Sequence, residues 1–272
     1  MSEPGPAAGS TVDADVDDLG TVVVLAAPPA RVVSLVPSLT ESVAATAPGL
    51  LVGATDWCAH PVDLEVARVG GSKYPDLDRV RALHPDLVLA NAEENRPDDV
   101  AALRAGGIPV WVTAPATLAA AFTSLRRMLA ACGLDPLPRW LDAARREWSS
   151  TYDGSPPVRT AVVPSWRRPW MVLGRDTFAG DVLRRLGVAN AFGGDEARYP
   201  TVTPEQMLAA GADLAVLPDE PYTFGADDGP EAFPGLDVAL VSGRHLTWYG
   251  PSLLEARDLL ERQLAAARRY WP

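Results

Sequence analysis

Arg31-Val32-Val33-Ser34-Leu35-Val36-Pro37-Ser38-Leu39-Thr40-Glu41 is the stretch on which the fold turns. A β-branched run from Arg31 to Val36 stops at Pro37-Ser38, which predicts a buried strand ending in a strand-to-helix loop. Ser38-Leu39-Thr40-Glu41 has the form of a capping box, in which the serine oxygen and the glutamate satisfy free N–H groups at the start of the next helix. Upstream, Thr21 to Leu25 reads as another short strand, separated from the first by Ala27-Pro28-Pro29-Ala30.

Downstream the pattern alternates. Leu77, Val80 and Leu83 recur at helical spacing, and Pro85-Asp86 leads into the apolar run Leu87-Val88-Leu89-Ala90, the mark of a strand buried on both faces. A helix through Val100 to Ala105, a turn at Gly106-Gly107 and a strand from Ile108 to Val112 repeat the unit. Such alternation predicts α/β layering around a parallel sheet.

The same signals return 127 positions later. Val36-Pro37-Ser38 is echoed by Val163-Pro164-Ser165, Asp78 and the helix running to Asp86-Leu87 by Glu205 and the helix running to Asp213-Leu214, and Glu93 by Glu220. A common offset for three anchors indicates two similar lobes. Between the echoes, Leu118 to Asp153 carries apolar residues at helical spacing, interrupted at Cys132-Gly133-Leu134-Asp135-Pro136. Gly133 fits the residue just past a helix end and Pro136 a restart, so one helix closes the first lobe and a second, from Pro138 to Trp148, bridges the lobes. The expected organisation is an acidic tail over 1–18, an N-terminal α/β lobe over 19–135, a bridging helix over 136–156 and a C-terminal α/β lobe over 157–272. A helical bridge permits limited lobe closure rather than a wide hinge motion.

Composition removes several functions. A net charge of −11 over 272 residues is the reverse of the basic footprint that nucleic acid requires. Cys58 and Cys132 form no CxxC pair, and His60, His84 and His245 are scattered, so a bare-metal site is not expected. Neither GxGxxG nor GxxxxGK[ST] occurs, and Ser38 and Ser165 lie outside any GxSxG elbow, so no catalytic residue is assigned. The first residues lack the basic start and long apolar run of a secretion signal, and no run is long enough to span a membrane; as written, the chain reads as a cytoplasmic monomer, and as extracytoplasmic if a signal precedes it.

Several stretches resemble the periplasmic-binding-protein-like receptors for vitamin B12 and iron chelates. They are Arg31 to Glu41, Val52-Gly53-Ala54-Thr55-Asp56-Trp57-Cys58 with Pro61, Val69-Gly70-Gly71, His84-Pro85-Asp86-Leu87-Val88, Phe178-Ala179-Gly180-Asp181-Val182-Leu183 and Leu186-Gly187-Val188. The resemblance implies two Rossmann-like lobes joined by one long backbone helix, a corrinoid or ferric siderophore held between them as ligand, no intrinsic cofactor, and delivery to an ABC-type permease. In that family one acidic side chain on each lobe docks on permease arginines, which implies Asp78 and Glu205 here.

Ligands of open α/β sheets meet the loops that leave the carboxyl ends of the strands. On that basis Ser38, Trp57, Tyr74, Glu93, Trp166, Arg167, Tyr222 and Trp248 are the candidate ligand-binding residues. Trp57 and Trp166 offer flat faces to a ring system, and the Arg167 guanidinium a fork for a carboxylate or phosphate. The rival reading is a cytosolic enzyme or chelate-handling protein on the same fold, which would require Ser38 or Ser165 to meet His245 and an acid in space.

Overall fold

The computed structural model describes residues 16–149 and 156–270. Strand β1 (Val32–Ser34), fully buried, is followed by helix α1 (Pro37–Ala44), then β2 (Leu51–Ala54) and β3 (Ala67–Arg68). Helix α2 (Leu77–Ala82) feeds β4 (Leu87–Asn91), and α3 (Pro97–Ala105) feeds β5 (Val110–Thr113). These strands form one parallel sheet in the order β3-β2-β1-β4-β5. The strand order reverses direction between β1 and β4, which puts a crevice at their carboxyl ends.

Helix α4 (Leu118–Ala131) ends as its sequence predicts: Gly133 adopts φ +75°, Leu134 N donates to Leu129 O and Gly133 N to Ala130 O, the paired bonds of a Schellman motif. Helix α5 (Arg139–Ser149) then leads toward the second lobe, and Trp148 donates from Nε1 to Leu253 O at 2.9 Å. The bridge expected over 136–156 is helical from Arg139 to Ser149, and its last part lies outside the described residues.

The second lobe contains β6 (Arg159–Val162), an antiparallel hairpin of β7 (Pro164–Trp166) and β8 (Met171–Val172), α6 (Phe178–Arg185) and β9 (Val188–Asn190). It continues with α7 (Pro204–Ala209), β10 (Leu214–Pro218), β11 (Asp237–Val241), α8 (Gly243–Thr247) and α9 (Leu253–Ala265). Its parallel sheet runs β11-β10-β6-β9, so the reversal falls between β10 and β6. The internal echo is structural: α7 and β10 begin and end 127 residues after α2 and β4. It fails at one anchor, because Pro37 opens a helix whereas Pro164 opens the β7–β8 hairpin.

One continuous core runs through both lobes, from Val32, Leu39 and Trp111 through Leu125, Ala144 and Trp148 to Val216 and Leu253. Separate clusters cover the other face of each sheet, around Val88 in lobe one and around Leu217 and Phe233 in lobe two. Burying each such aliphatic side chain is worth about 2 kcal/mol, and sharing them between lobes resists independent lobe motion.

Three local expectations are corrected. Residues 1–15 of the expected acidic tail lie outside the described residues, but Asp17 and Asp18 belong to the first lobe. Asp17 is 2% exposed, pairs with Arg104 at 2.7 Å and accepts from the N–H groups of Leu19 and Thr21; Asp18 pairs with Arg127 at 3.0 Å and accepts from Ala114 N. Thr21 to Leu25 is extended but makes no ladder beyond a Val16–Val22 bridge, with Val22 and Val24 facing solvent. Ser38 is not the cap of α1. Proline at the first helical position shifts the cap to Val36, and the Glu41 carboxylate turns to another partner.

Candidate ligand cleft

The carboxyl ends of both sheets face one another, and the loops leaving them meet across a cleft. Its floor is a buried polar knot: Asn91, the last residue of β4, donates from Nδ2 to the Tyr249 hydroxyl of lobe two at 2.6 Å, and that hydroxyl lies 2.7 Å from Thr113 Oγ1. Asn91 Oδ1 accepts from the N–H groups of Glu93 and Glu94 at 2.7 and 3.2 Å, fixing the turn that carries both carboxylates.

Each end of the cleft is tied. At one end the Glu93 carboxylate of lobe one pairs with Arg198 and accepts from the Tyr199 hydroxyl of lobe two. At the other, Arg244 in α8 pairs with Glu41 in α1, and His60 meets Trp248 edge-on with ring centres 5.6 Å apart. Glu41 is 6% exposed and its second oxygen has no hydrogen-bond partner. A methyl group added at Gly250 would stand 2.8 Å from Ser42 Oγ and 3.2 Å from Ser38 O, so the lobes touch there backbone to helix.

The candidate residues divide. Trp57 and Tyr74 of lobe one are exposed on loops after β2 and β3, and Arg96 lies over the Tyr74 ring at 5.1 Å. Trp166 in lobe two is 43% exposed and packs edge-on against Tyr222 at 5.6 Å. These rings are free faces on the two sides. Trp248 is buried, contacting His60 and hydrogen-bonding Glu220, so it forms floor rather than wall. Ser38 is 2% exposed and its hydroxyl has no hydrogen-bond partner.

Arg167 is not a free anion fork. Its guanidinium pairs with Asp228 and Glu231 of its own lobe and covers Trp170 at 5.1 Å. Tyr222 donates to the other oxygen of Asp228 at 2.6 Å, so the same carboxylate organises both residues. The partners of Arg167 come some sixty positions later in the chain, and no local pattern marks them.

Residues passed over by the sequence reading are Glu94, Glu220, Arg198, Tyr199, Arg244 and Tyr249. Glu94 is half-buried; burial first, and the Glu93 charge second, push its carboxyl up to about 7. Glu220, in the matching loop of lobe two, is also raised, by burial and then by Asp219. Only the echo of Glu93 by Glu220 pointed toward this pair.

Asp78 and Glu205 stand in the first turns of the matching helices α2 and α7, both exposed. Asp78 pairs with Arg81 at 2.8 Å, and a hydrogen bond to Thr203 holds the Glu205 carboxyl below its usual range. Neither serine of the rival reading meets His245. The imidazole instead engages Ser242 at 2.8 Å and Glu255 at 3.0 Å, and Ser242 lies one helical turn away on the start of α8, a local contact at a helix end. Cys58 is fully buried, with the Thr40 and Thr55 hydroxyls 3.0 and 3.1 Å from sulfur, and burial raises its pKa. Among the described residues no group of three or more His, Cys, Asp or Glu could hold a metal ion, and no helix is long and apolar enough to cross a membrane.

No family model matches the chain. A vitamin B12-binding protein of Vibrio cholerae is 26% identical over 191 residues, covering 66% of this chain and 67% of that protein. One from Pectobacterium carotovorum is 25% identical over 253 residues, covering 88% and 89%. The crystal structure of periplasmic vitamin B12 binding protein BtuF of Vibrio cholerae superposes with a TM-score of 0.66 at 22% identity, over 88% of this chain and 97% of that one. The resemblance read from the sequence holds, and the fold is that of the two-lobed periplasmic binding proteins.

Proposed function

We propose that this chain, a relative of the vitamin B12-binding proteins, is the substrate-binding component of an ABC-type importer and captures a metal chelate, corrinoid-like or siderophore-like, between its lobes. The observation that carries the reading is the cleft itself. It opens at the topological switch point of both sheets, and exposed aromatic faces flank it from each lobe, Trp57 with Tyr74 and Trp166 with Tyr222. A rigid chelate ring offers large flat or curved apolar area, which aromatic side chains cover at low entropic cost.

The work of such a receptor is binding and hand-over. The shared core keeps the lobes close to one arrangement, so little is spent on ordering the site. Entry of a ligand must displace the contact of Glu93 with Arg198 and Tyr199, the tie nearest the aromatic faces. Asp78 and Glu205 are the docking residues for a permease: matching helices of the two lobes present them to solvent. A receptor feeding an importer acts outside the cytoplasm.

Calorimetry of the purified protein against cyanocobalamin, aquacyanocobinamide, haem, ferrioxamine B and ferric enterobactin tests the reading. Low micromolar or tighter binding of one of them is expected, with a raised melting temperature, because a ligand of the native state alone stabilises it. Failure of the whole panel would refute the receptor assignment. With a permease in proteoliposomes, Asp78→Lys and Glu205→Lys should weaken docking and leave ligand binding intact.

A further inference from the structure

The charges of the cleft choose among chelates, and this step rests on the receptor reading above. Four cations come near it from the residues already described. Lys73 donates to the Glu93 carbonyl, Arg198 pairs with the Glu93 carboxylate, Arg244 pairs with Glu41 and lies 3.5 Å from Glu255, and Arg167 pairs with Asp228 and Glu231. Each is committed to a protein acceptor. Arg168, at the turn of the β7–β8 hairpin, is exposed, where water screens its charge.

The acceptors are in the opposite position. Glu94 stands after β4 and Glu220 after β10, at the two switch points, and they are close enough for Glu220 to raise the Glu94 carboxyl. Glu94 also acts electrostatically on Cys58, Tyr199 and Tyr249, which places it between the loops of both lobes. Among the described residues neither Glu94 nor Glu220 forms an ion pair. Glu220 has one indole donor, from Trp248.

We propose that Glu94 and Glu220 form a two-sided acceptor clamp that selects cationic or neutral chelates fringed with amide or ammonium donors, and rejects chelates fringed with carboxylates or other anionic groups. An N–H fringe supplies the donors that both carboxylates lack, whereas an anionic fringe would meet like charge in a half-buried site with every nearby buried cation already taken. Such juxtaposition changes affinity at least about tenfold.

The test compares aquacyanocobinamide and ferrioxamine B, both cations bearing amide or ammonium groups, with haem and ferric enterobactin, both anions. Dissociation constants are measured at pH 8, where both carboxylates are charged, for wild type, Glu94→Gln, Glu220→Gln and the double variant, with circular dichroism to verify folding. The expected result is a cation preference of tenfold or more in wild type that collapses in the double variant, chiefly through tighter binding of the anions, and shrinks with added salt. Equal or tighter binding of haem by wild type would overturn the clamp while leaving the receptor reading in place, and its loss on Arg168→Gln would locate the anion site on the hairpin instead. An unchanged ratio in the double variant would overturn it as well. If none of the four binds, the receptor reading fails, and the clamp with it.

Discussion

Replacing Arg244 by Met removes the only ion-pair partner of a buried carboxylate that joins the lobes. Glu41 is 6% exposed in α1 and its partner Arg244 stands in α8, more than two hundred residues later. Stranding a buried charge costs about 3–5 kcal/mol. Glu41 can escape that cost by taking a proton, and moving an ordinary glutamate from its reference pKa to neutrality at pH 7 costs about 3.5 kcal/mol, which sets the ceiling. The loss should therefore be about 3 kcal/mol at pH 7, a fall in Tm of about 6 °C for a chain of this size, and should shrink by about 1.4 kcal/mol per pH unit on acidification. The reverse change, Glu41→Leu, is milder at about 1–2 kcal/mol, since Arg244 keeps Glu255 at 3.5 Å and is itself partly solvated. The double variant should return to within about 1 kcal/mol of wild type, as apolar replacements of buried pairs do. Urea unfolding of the four proteins at pH 5 and 7 measures the cycle. Additive effects, or a loss for Arg244→Met that does not depend on pH, would refute the claim that this pair is buried and joins the lobes.

Three further outcomes are expected. Trp57→Ala and Trp166→Ala should each weaken the retained chelate by about 1 kcal/mol or more, with Tm nearly unchanged because both rings are exposed; calorimetry and thermal melts read the two effects separately. Glu94 has its carboxyl raised to about 7, so the folded state binds more protons than the unfolded state between the ordinary glutamate range and that value. Stability should then fall as pH rises through this window, by at most about 3 kcal/mol, and level off above it; Glu94→Gln should flatten that slope, and an unaltered slope would assign it to other groups. Cys58 should resist thiol reagents in the native protein and react on unfolding, since burial raises its pKa; rapid native labelling at Cys58 would contradict its placement.

The fold was legible because its signals are local and repeated. The run Leu87–Asn91 reads as a buried parallel strand by itself, and its copy at Leu214–Pro218 turns one lobe into two. Gly133 marked the end of α4 because few residues but glycine sit comfortably at positive φ. Ser38 misled, because proline beside it moved the cap back by two residues, a competition between capping chemistries that a four-residue pattern does not register. The exposed tryptophans were legible from their place after strands. The charge network was not: Arg167 finds Asp228, Glu93 finds Arg198 and Glu41 finds Arg244 only after the lobes close on one another, and nothing in the local sequence distinguishes a committed arginine from a free one.

Hydrogen–deuterium exchange with and without the chelate that calorimetry retains tests the central claim most directly. The account predicts protection in loops of both lobes together, over residues 55–59, 72–75 and 91–96 on one side and 164–170 and 219–224 on the other. The largest open groove, of about 450 Å³, lies elsewhere, between α4 and α5 beside Arg185. Protection confined to that groove, or to the loops of a single lobe, would contradict a site between the lobes.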